Sequence, residues 1–218
     1  MARKYAVIGL GNFGTWVVKS LYELRQETIA IDIDKERVQK IRDFTNNPVL
    51  ADATKKETLI SLGLGDVHAV VISLGDNTSA STLITLYLQE MGVSKILVKA
   101  MDEDHGKILR KVGATDIIFP EKDMGIKTAK SLVMPNILDF IEMSEDYQIA
   151  EIAPPGSFIG KSLAELALPQ RFNIQVIAIK ELIPERFSVI PKGEFVIKDS
   201  DILVVLGKGV NINKIKLQ

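Results

Sequence analysis

The stretch Tyr5-Ala6-Val7-Ile8-Gly9-Leu10-Gly11-Asn12-Phe13-Gly14 decides the fold of this chain. It starts with a short run that has the hydrophobic character of a buried strand, and a G-x-G-x-x-G pattern follows without a gap. The first glycine permits a tight turn, the second lets the backbone approach a pyrophosphate, and the third lets the next helix pack closely on the strand. The start of that helix attracts phosphate without a lysine. The stretch therefore predicts a nucleotide site, with a plain strand–turn–helix corner as the alternative.

A single acid completes this pattern. Asp32 ends the next apolar run, about 20 residues after the glycines, where an acid accepts hydrogen bonds from the ribose 2′- and 3′-hydroxyls. This placement favours an adenosine nucleotide with a free 2′-hydroxyl over NADP. Asp34 lies two residues further on and is followed by charged residues, so we interpret it as the N-cap of a helix.

Composition and charge restrict the possible partners. The chain has 218 residues, of which 46% are hydrophobic and 25% charged, as is ordinary for a globular protein. Its formal net charge is −1 and the basic residues lie among acidic ones, so we expect no nucleic-acid partner. The chain has no cysteine, which excludes disulfides and thiolate metal sites. Residues 1–4 lack the apolar stretch of a secretory signal, and the longest apolar runs are too short to span a bilayer. We therefore expect a cytoplasmic protein that reaches a membrane only through another protein.

Strand and helix patterns alternate along roughly the first 120 residues. Six short strands alternating with five helices predict a Rossmann-like, doubly wound parallel sheet, whose ligands bind at the carboxyl ends of the strands. That rule nominates Asp52, Ala53 and Thr54 after the third strand, Ser73, Leu74 and Gly75 after the fourth, Lys99 at the end of the fifth, and Glu121 after the sixth. For Asp52 and Thr54, a turn that opens the next helix is an equally open interpretation.

The remaining chain predicts a helical crossover and a second, smaller module. Residues 124–144 have a helical pattern interrupted by Pro135-Asn136, which predicts two helices meeting at a proline break. A small α+β module follows, with its own strands beginning near Tyr147. We divide the chain into a nucleotide-binding domain, residues 1–134, and a C-terminal domain, residues 135–218.

A search for catalytic groups finds two histidines and no convergent cluster. His68 precedes a buried strand and His105 lies at a helix start, and neither has the spacing of a hydrolase or metal site. A nucleotide site without an evident acid, base or substrate domain favours a sensor over an enzyme. The alternative is a small NAD-dependent oxidoreductase that uses His105 or Lys99.

Motifs in both halves of the chain resemble one family. The N-terminal motifs are residues 9–14, Ala30-Ile31-Asp32, Asp52-Ala53-Thr54, Val98-Lys99-Ala100 and Pro120-Glu121-Lys122-Asp123-Met124-Gly125. The C-terminal motifs are Gly160-Lys161-Ser162-Leu163, Val176-Ile177-Ala178-Ile179-Lys180 and Asp201-Ile202-Leu203-Val204-Val205. Together they cover nearly the whole chain and resemble the RCK (regulator of K+ conductance) family, the cytosolic regulatory subunits of bacterial Trk/Ktr-type potassium uptake systems.

The resemblance implies a site for NAD(H), ATP, ADP or AMP, with the acid on the ribose and the loops after strands three and four around the adenine. The residues implied in binding are Gly9, Leu10, Gly11, Asn12, Phe13, Gly14, Asp32, Ile33, Asp52, Ala53, Thr54, Ser73, Leu74, Gly75 and Lys99. Lys99 would meet a phosphate, or else simply end its strand in solvent. Glu121 matches a glutamate that helps to hold a divalent cation in some relatives, which would be Mg2+ or Ca2+. Alternatively, Glu121 complements the dipole of the helix that it opens.

One position departs from the family pattern. Members that discriminate ATP from ADP carry an arginine in the glycine loop, where this chain has Asn12. A neutral amide cannot make the bidentate, charge-assisted contact that a guanidinium makes with phosphate. Asn12 therefore favours AMP, ADP or NAD(H) over ATP.

The resemblance also implies partners. RCK N-terminal domains dimerise through the helices after the sixth strand, and the dimers form an octameric ring beneath a membrane-embedded K+ channel. The chain would then be part of a homo- or hetero-oligomer at the inner face of the cell membrane. Some relatives bind cyclic di-AMP at a C-terminal dimer interface, where Arg171, Asn173 and Ile174 occupy the comparable stretch.

Overall fold

The computed structural model describes residues 3–133, 137–144 and 146–215. The chain separates into two compact units, Met1–Asp123 and Met124–Gln218. The domain division between residues 134 and 135 stays a prediction, at a point outside the described residues.

The first unit is a parallel sheet whose strands alternate with helices. Its strands are β1 (Lys4–Ile8), β2 (Glu27–Asp32), β3 (Asn47–Leu50), β4 (Ala69–Ile72), β5 (Ile96–Lys99) and β6 (Asp116–Ile118). The helices between them are α1 (Asn12–Glu23), α2 (Lys35–Lys40), α3 (Lys56–Ser61), α4 (Thr78–Glu90) and α5 (Glu103–Lys111), and α6 (Pro120–Val133) follows β6. The predicted alternation of six strands and five helices is confirmed within the described part of this unit.

The strand order places a crevice at the end of β1. The order is β3-β2-β1-β4-β5-β6, and every neighbouring pair is parallel. The chain therefore continues to one side of β1 through β2 and β3 and to the other side through β4. At such a reversal the connections leave in opposite directions, which opens a ligand crevice at the carboxyl ends of the two central strands.

Apolar layers cover both faces of this sheet. Successive side chains of a strand point to opposite faces, so Val7 and Ile8 enter different layers. Val7 packs in the layer that includes Val18 of α1, and Ile8 packs in the layer that includes Leu88 of α4. Burial on both faces explains why the central strands are continuous apolar runs rather than alternating ones.

The second unit is built on an antiparallel sheet. Its strands are β7 (Ile137–Glu142), β8 (Tyr147–Ile152), β9 (Ile174–Leu182), β10 (Glu185–Val189) and β11 (Asp201–Lys208), in the order β10-β9-β11-β8-β7. Its helices are α7 (Leu163–Leu166), α8 (Leu168–Phe172) and α9 (Gly209–Lys214). The side chains of Phe158 and Leu203 are fully buried in its core. This small α+β arrangement agrees with the predicted fold class.

One predicted helix is wrong. The residues after Pro135-Asn136 were expected to form a second crossover helix, but Ile137–Glu142 is strand β7, which pairs antiparallel with β8. The second sheet therefore begins before Tyr147. A six-residue segment rich in branched and aromatic residues suits a strand, and the partner strand supplies the backbone hydrogen bonds that so short a helix could make only in part. Pro135-Asn136 itself lies outside the described residues.

Among the described residues, no helix combines the length and the apolar character needed to cross a bilayer.

Candidate functional site

The glycine loop between β1 and α1 is held in place by close backbone contacts. Gly9 has a φ of +93°, and a Cβ at this position would lie 2.1 Å from the carbonyl oxygen of Ser73. A Cβ on Gly14 would lie 1.9 Å from the carbonyl oxygen of Gly9. The predicted tight turn and close helix packing are therefore confirmed. Gly11 differs, because a Cβ there would meet no atom within 4 Å.

The N-terminus of α1 has the properties of an anion site. Gly11 is the N-cap residue, no side chain among the described residues caps this helix, and its first turn contains no acidic residue. The first-turn N–H groups lack partners inside the helix, and the macrodipole places positive potential beside them. A phosphate near Gly11 would satisfy both features.

The Asp32 side chain holds the glycine loop in place by hydrogen bonds. It is buried, with 6% of the residue exposed. Its Oδ2 accepts a hydrogen bond of 2.6 Å from the amide of Leu10, and its Oδ1 accepts one of 2.8 Å from the amide of Asp34. A carboxylate has about four acceptor positions, so the predicted contacts with ribose hydroxyls remain available. Leu10 itself contributes its backbone to this arrangement.

Arg37 also belongs to this region, although no sequence motif nominated it. Its guanidinium lies 3.6 Å from the Asp32 carboxylate and 3.6 Å from that of Asp34. Asp34 caps α2 by accepting hydrogen bonds from the amides of Glu36 and Arg37, as predicted. The position of Arg37 in the sequence could have indicated this, because a residue three positions after a helix N-cap points back toward the end of the preceding strand.

Two neighbouring cavities open at the carboxyl ends of the strands. The larger, of about 490 Å³, is lined by Gly9, Gly11, Asn12, Phe13, Asp32, Ile33, Arg37, Ser73, Leu74, Gly75, Asp76, Asn77, Lys99 and Glu121. The smaller, of about 110 Å³, is lined by Ile8, Gly9, Ile31, Asp32, Ile33, Ala51, Asp52, Ala53, Thr54, Leu74, Asn77, Ala80 and Ile84. The fold thus brings the predicted residues together, except that Gly14 packs beneath the loop and Leu10 acts through its amide.

Asp52 and Thr54 form a turn. The Asp52 carboxylate accepts hydrogen bonds from the Thr54 amide at 3.0 Å and from the Thr54 hydroxyl at 2.6 Å. Both hydrogen bonds lower the pKa of the Asp52 carboxyl below its ordinary value, and the bond from the hydroxyl has the larger effect. The turn interpretation is confirmed, and the same two residues also line the smaller cavity.

Lys99 and Glu121 both line the larger cavity and form an ion pair with each other. The side chain of Lys99 is only 16% exposed, so of the two open interpretations of this residue, the one in which it ends its strand in solvent is wrong. The hydrogen bond from Lys99 holds the pKa of the Glu121 carboxyl below its usual range. Glu121 also lies in the first turn of α6, where a negative charge complements the dipole.

The described residues do not by themselves form a divalent-cation site. They contain no group of three or more His, Cys, Asp or Glu side chains that could hold a metal ion. Glu121 is a single carboxylate and its partner is an ammonium group. A cation here would need phosphate oxygens and waters for its other ligands.

The two histidines lie away from the cavities. His68 immediately precedes β4, at the amino end of that central strand and so opposite the carboxyl ends where the cavities open, and it packs edge-on against Tyr5, with ring centroids 5.5 Å apart. His105 lies in the first turn of α5 and is buried. Neither is among the residues that line the two cavities in the part of the chain that the structure describes.

The predicted cyclic di-AMP residues occupy different environments in the second unit. Arg171 lies in α8, and Asn173 follows that helix in a left-handed conformation with a φ of +54°. Ile174 is 2% exposed and packs in the core of the second unit, so its side chain offers no surface for a ligand.

Three comparisons extend these observations to known proteins. Residues 5–120 match the TrkA-N domain, and residues 148–217 match the TrkA-C domain. Ktr system potassium uptake protein A of Bacillus subtilis (strain 168) is 37% identical over 212 residues, which are 97% of this chain and 95% of that protein. Ktr system potassium uptake protein C of the same organism is 37% identical over 214 residues, 98% of this chain and 96% of that protein.

A solved structure gives the same fold. The GsuK channel bound to NAD matches 99% of this chain with a TM-score of 0.67 and 17% sequence identity. The match covers 39% of the GsuK chain, so this chain spans less than half of it. At this identity the likeness shows the fold alone.

Proposed function

Because the chain belongs to the RCK family, with a TrkA-N domain followed by a TrkA-C domain, we propose that it is a regulatory subunit of a Ktr-type potassium uptake system. In this proposal an adenine nucleotide binds the glycine-loop cavity and changes the conformation of an oligomer that controls K+ flux. The relatives that carry potassium-uptake names match this chain over almost the full length of both proteins, which supports the proposal.

The observation that carries the nucleotide assignment is the pair of adjoining cavities at the switch point of the sheet. The smaller one is lined mostly by apolar side chains, such as Leu74 and Ile84, and would take the adenine. The ribose would lie at Asp32, between the cavities. The phosphates would lie in the larger cavity near Gly11, where the helix N-terminus and the cations Arg37 and Lys99 favour negative charge.

The nucleotide would be AMP, ADP or NAD(H) rather than ATP. Asn12 supplies no charge to a terminal phosphate, and the carboxylates of Asp32 and Glu121 partly neutralise the two cations that line the larger cavity, so little positive charge is left for a third phosphate. A divalent cation bridging Glu121 and the phosphates stays a prediction. Membership of an octameric ring and a location at the inner face of the membrane, beside a membrane-embedded potassium transporter, are parts of the same proposal.

The ion pair suggests how the nucleotide would act on the oligomer. A phosphate close to Lys99 would compete with Glu121 for the ammonium group. Glu121 opens α6, and the resemblance places the helices after the sixth strand at the dimer interface. A ligand shifts such an equilibrium only by its differential affinity for the two states, and a hundredfold preference contributes about 2.7 kcal/mol per site.

Gly11→Ala tests the nucleotide site without disturbing the fold. A methyl group at Gly11 meets nothing in the protein but enters the space that the phosphates would occupy. Gly156 offers a matched control in the second unit, because a Cβ there also meets nothing within 4 Å. We expect calorimetric titration with AMP, ADP, ATP, NAD+ and NADH to give binding that Gly11→Ala weakens by roughly tenfold or more and Gly156→Ala leaves unchanged. Wild-type protein that binds none of these nucleotides would refute the proposal.

The transport role needs a separate measurement. We expect potassium uptake by liposomes that contain the cognate membrane subunit to change on addition of this protein, and the change to depend on the bound nucleotide. Light scattering of the purified protein measures the oligomer. A monomer without effect on the flux would contradict the regulatory role even if nucleotide binds.

A further inference from the structure

His105 is a buried titratable group outside the proposed nucleotide cavities. The residue is 6% exposed and lies in the first turn of α5. Its Nδ1 lies 3.3 Å from the amide nitrogen of Met101, and its Nε2 lies 3.1 Å from the hydroxyl oxygen of Ser81. The imidazole thus joins the loop after β5 to helix α4.

These contacts define which nitrogen carries the proton. A backbone amide only donates, so Nδ1 of His105 accepts from Met101. The Ser81 hydroxyl donates its one hydrogen to the carbonyl oxygen of Thr78, at 2.9 Å. Ser81 therefore accepts from His105, and the ring is neutral with its proton on Nε2. Protonation would place an N–H at Nδ1 against the N–H of Met101 and break the network.

Both segments joined by the imidazole contribute to the cavities. Met101 follows Lys99 by two residues, and Lys99 lines the larger cavity. In the first turn of α4, Ser81 hydrogen-bonds to Thr78, and Thr78 follows Asn77. Asn77 lines both cavities and caps α4 by accepting a hydrogen bond of 3.1 Å from the Ala80 amide. A shift of either segment would move a wall of the site.

We propose that neutral His105 is a positioning residue of the nucleotide site, which holds the end of β5 and the first turn of α4 at their correct separation. It makes no contact with the nucleotide and acts through Lys99 and Asn77. The inference rests on the proposed nucleotide-binding function and adds to it a dependence on pH.

The surroundings of the ring favour the neutral form. Burial lowers the pKa of the His105 imidazole, and the attraction of Asp102 opposes this shift as the smaller effect. Asp102 caps α5 by accepting from the His105 amide at 2.7 Å. The other acids of this turn pair elsewhere, Glu103 with Lys122 and Asp104 with Lys107.

Among the described residues, the groups that the packed elements bring to the imidazole ring are uncharged. From α4 the group at the ring is the Ser81 hydroxyl, and next to His105 a Cβ on Gly106 would meet Phe119 and Ile117. A group whose pKa is lowered in the folded state contributes its stabilisation above its ordinary pKa and loses it as the pH falls through the lowered value. Protonation would also break the contact between Nδ1 and the Met101 amide, so we expect nucleotide affinity to be full at neutral pH and to fall in acid.

The experiment compares the two histidines. The dissociation constants for NAD+ and for ADP are measured by calorimetry from about pH 8 to about pH 5.5 on wild type, His105→Asn and the matched control His68→Asn. The NAD+ pyrophosphate does not titrate in this range, so it isolates the protein's contribution. We expect the NAD+ affinity of wild type and of His68→Asn to fall toward the acid end, by at most about fivefold, the effect of one lost hydrogen bond. His105→Asn binds about fivefold more weakly already at pH 8 and has a flat NAD+ profile.

Further variants keep the test decisive if His105→Asn folds poorly. His105→Gln keeps an N–H donor that can reach Ser81. Ser81→Ala removes the hydroxyl that accepts from His105 and leaves the histidine in place. We expect each variant to bind NAD+ more weakly than wild type at neutral pH. Circular dichroism at each pH confirms that the variants are folded. A folded His105→Asn or His105→Gln with wild-type affinity and a wild-type pH profile overturns this inference alone. Absence of nucleotide binding by wild type at every pH overturns the proposed function and this inference with it.

Discussion

Asp32 is expected to stabilise the protein before any ligand binds, and Asp32→Ala measures that contribution. The substitution removes two charge-assisted hydrogen bonds, of 2.6 and 2.8 Å, from a residue that is 6% exposed. Hydrogen bonds to charged groups contribute about 1.5–3 kcal/mol each, which gives about 3–6 kcal/mol for the pair. The adjoining cavity of about 490 Å³ admits water to the freed amides, so we expect a value near the lower end, about 3 kcal/mol.

The assay is urea unfolding of the ligand-free protein. Trp16 is the only tryptophan of the chain and lies in α1, so its fluorescence reports on the first unit. Asp34→Ala is the matched control, because Asp34 accepts two amide hydrogen bonds as the cap of α2 but its side chain is 45% exposed. A lost N-cap costs about 1 kcal/mol. If Asp32→Ala destabilises the protein no more than Asp34→Ala does, the structural role of Asp32 is refuted.

Two further predictions concern the loop and the ion pair. Gly14→Ala places a methyl group 1.9 Å from the carbonyl oxygen of Gly9, so we expect urea unfolding to give a loss of about 1–3 kcal/mol; a stability equal to wild type would contradict the close packing. Glu121→Gln removes the ion pair with Lys99. In the wild type, Lys99 lowers the pKa of the Glu121 carboxyl. The pair therefore stabilises the fold above the ordinary glutamate pKa, and this stabilisation is lost as the pH falls through the lowered pKa. Because the side chain of Glu121 is 69% exposed, we expect the variant to be destabilised by less than about 1 kcal/mol at neutral pH and not at all in acid. Thermal unfolding measures this, and a stability difference between variant and wild type that persists at low pH would contradict the prediction.

The predictions that the structure confirms are those that depend on residues close together in the chain. The turn at Gly9, the close packing of Gly14 on the loop and the Asp34 cap each involve backbone geometry or hydrogen bonds that the local pattern specifies. The Rossmann-like sheet follows in the same way, because regular alternation of short apolar strands with helices permits few arrangements.

The prediction that failed and the position that was left open both depend on partners distant in the chain. Ile137–Glu142 was expected to be helical, and its pairing with β8 decides otherwise. The position of Lys99 was left open because the ion pair that holds its side chain comes from a residue 22 positions later.

By itself, the sequence determined the fold class, the glycine loop and the acid at the end of the second strand, since these follow from local periodicity and from the few residues that tolerate such turns. Only the tertiary structure decided that the Asp32 side chain holds the amide of Leu10, that Arg37 lines the larger cavity, that Lys99 and Glu121 pair, and that His105 contacts both Met101 and Ser81. The physical reason is that hydrogen bonds and ion pairs act over a few ångströms in space, and the residues that make these contacts are brought within that range by the packing of the sheet and its helices rather than by their order in the chain.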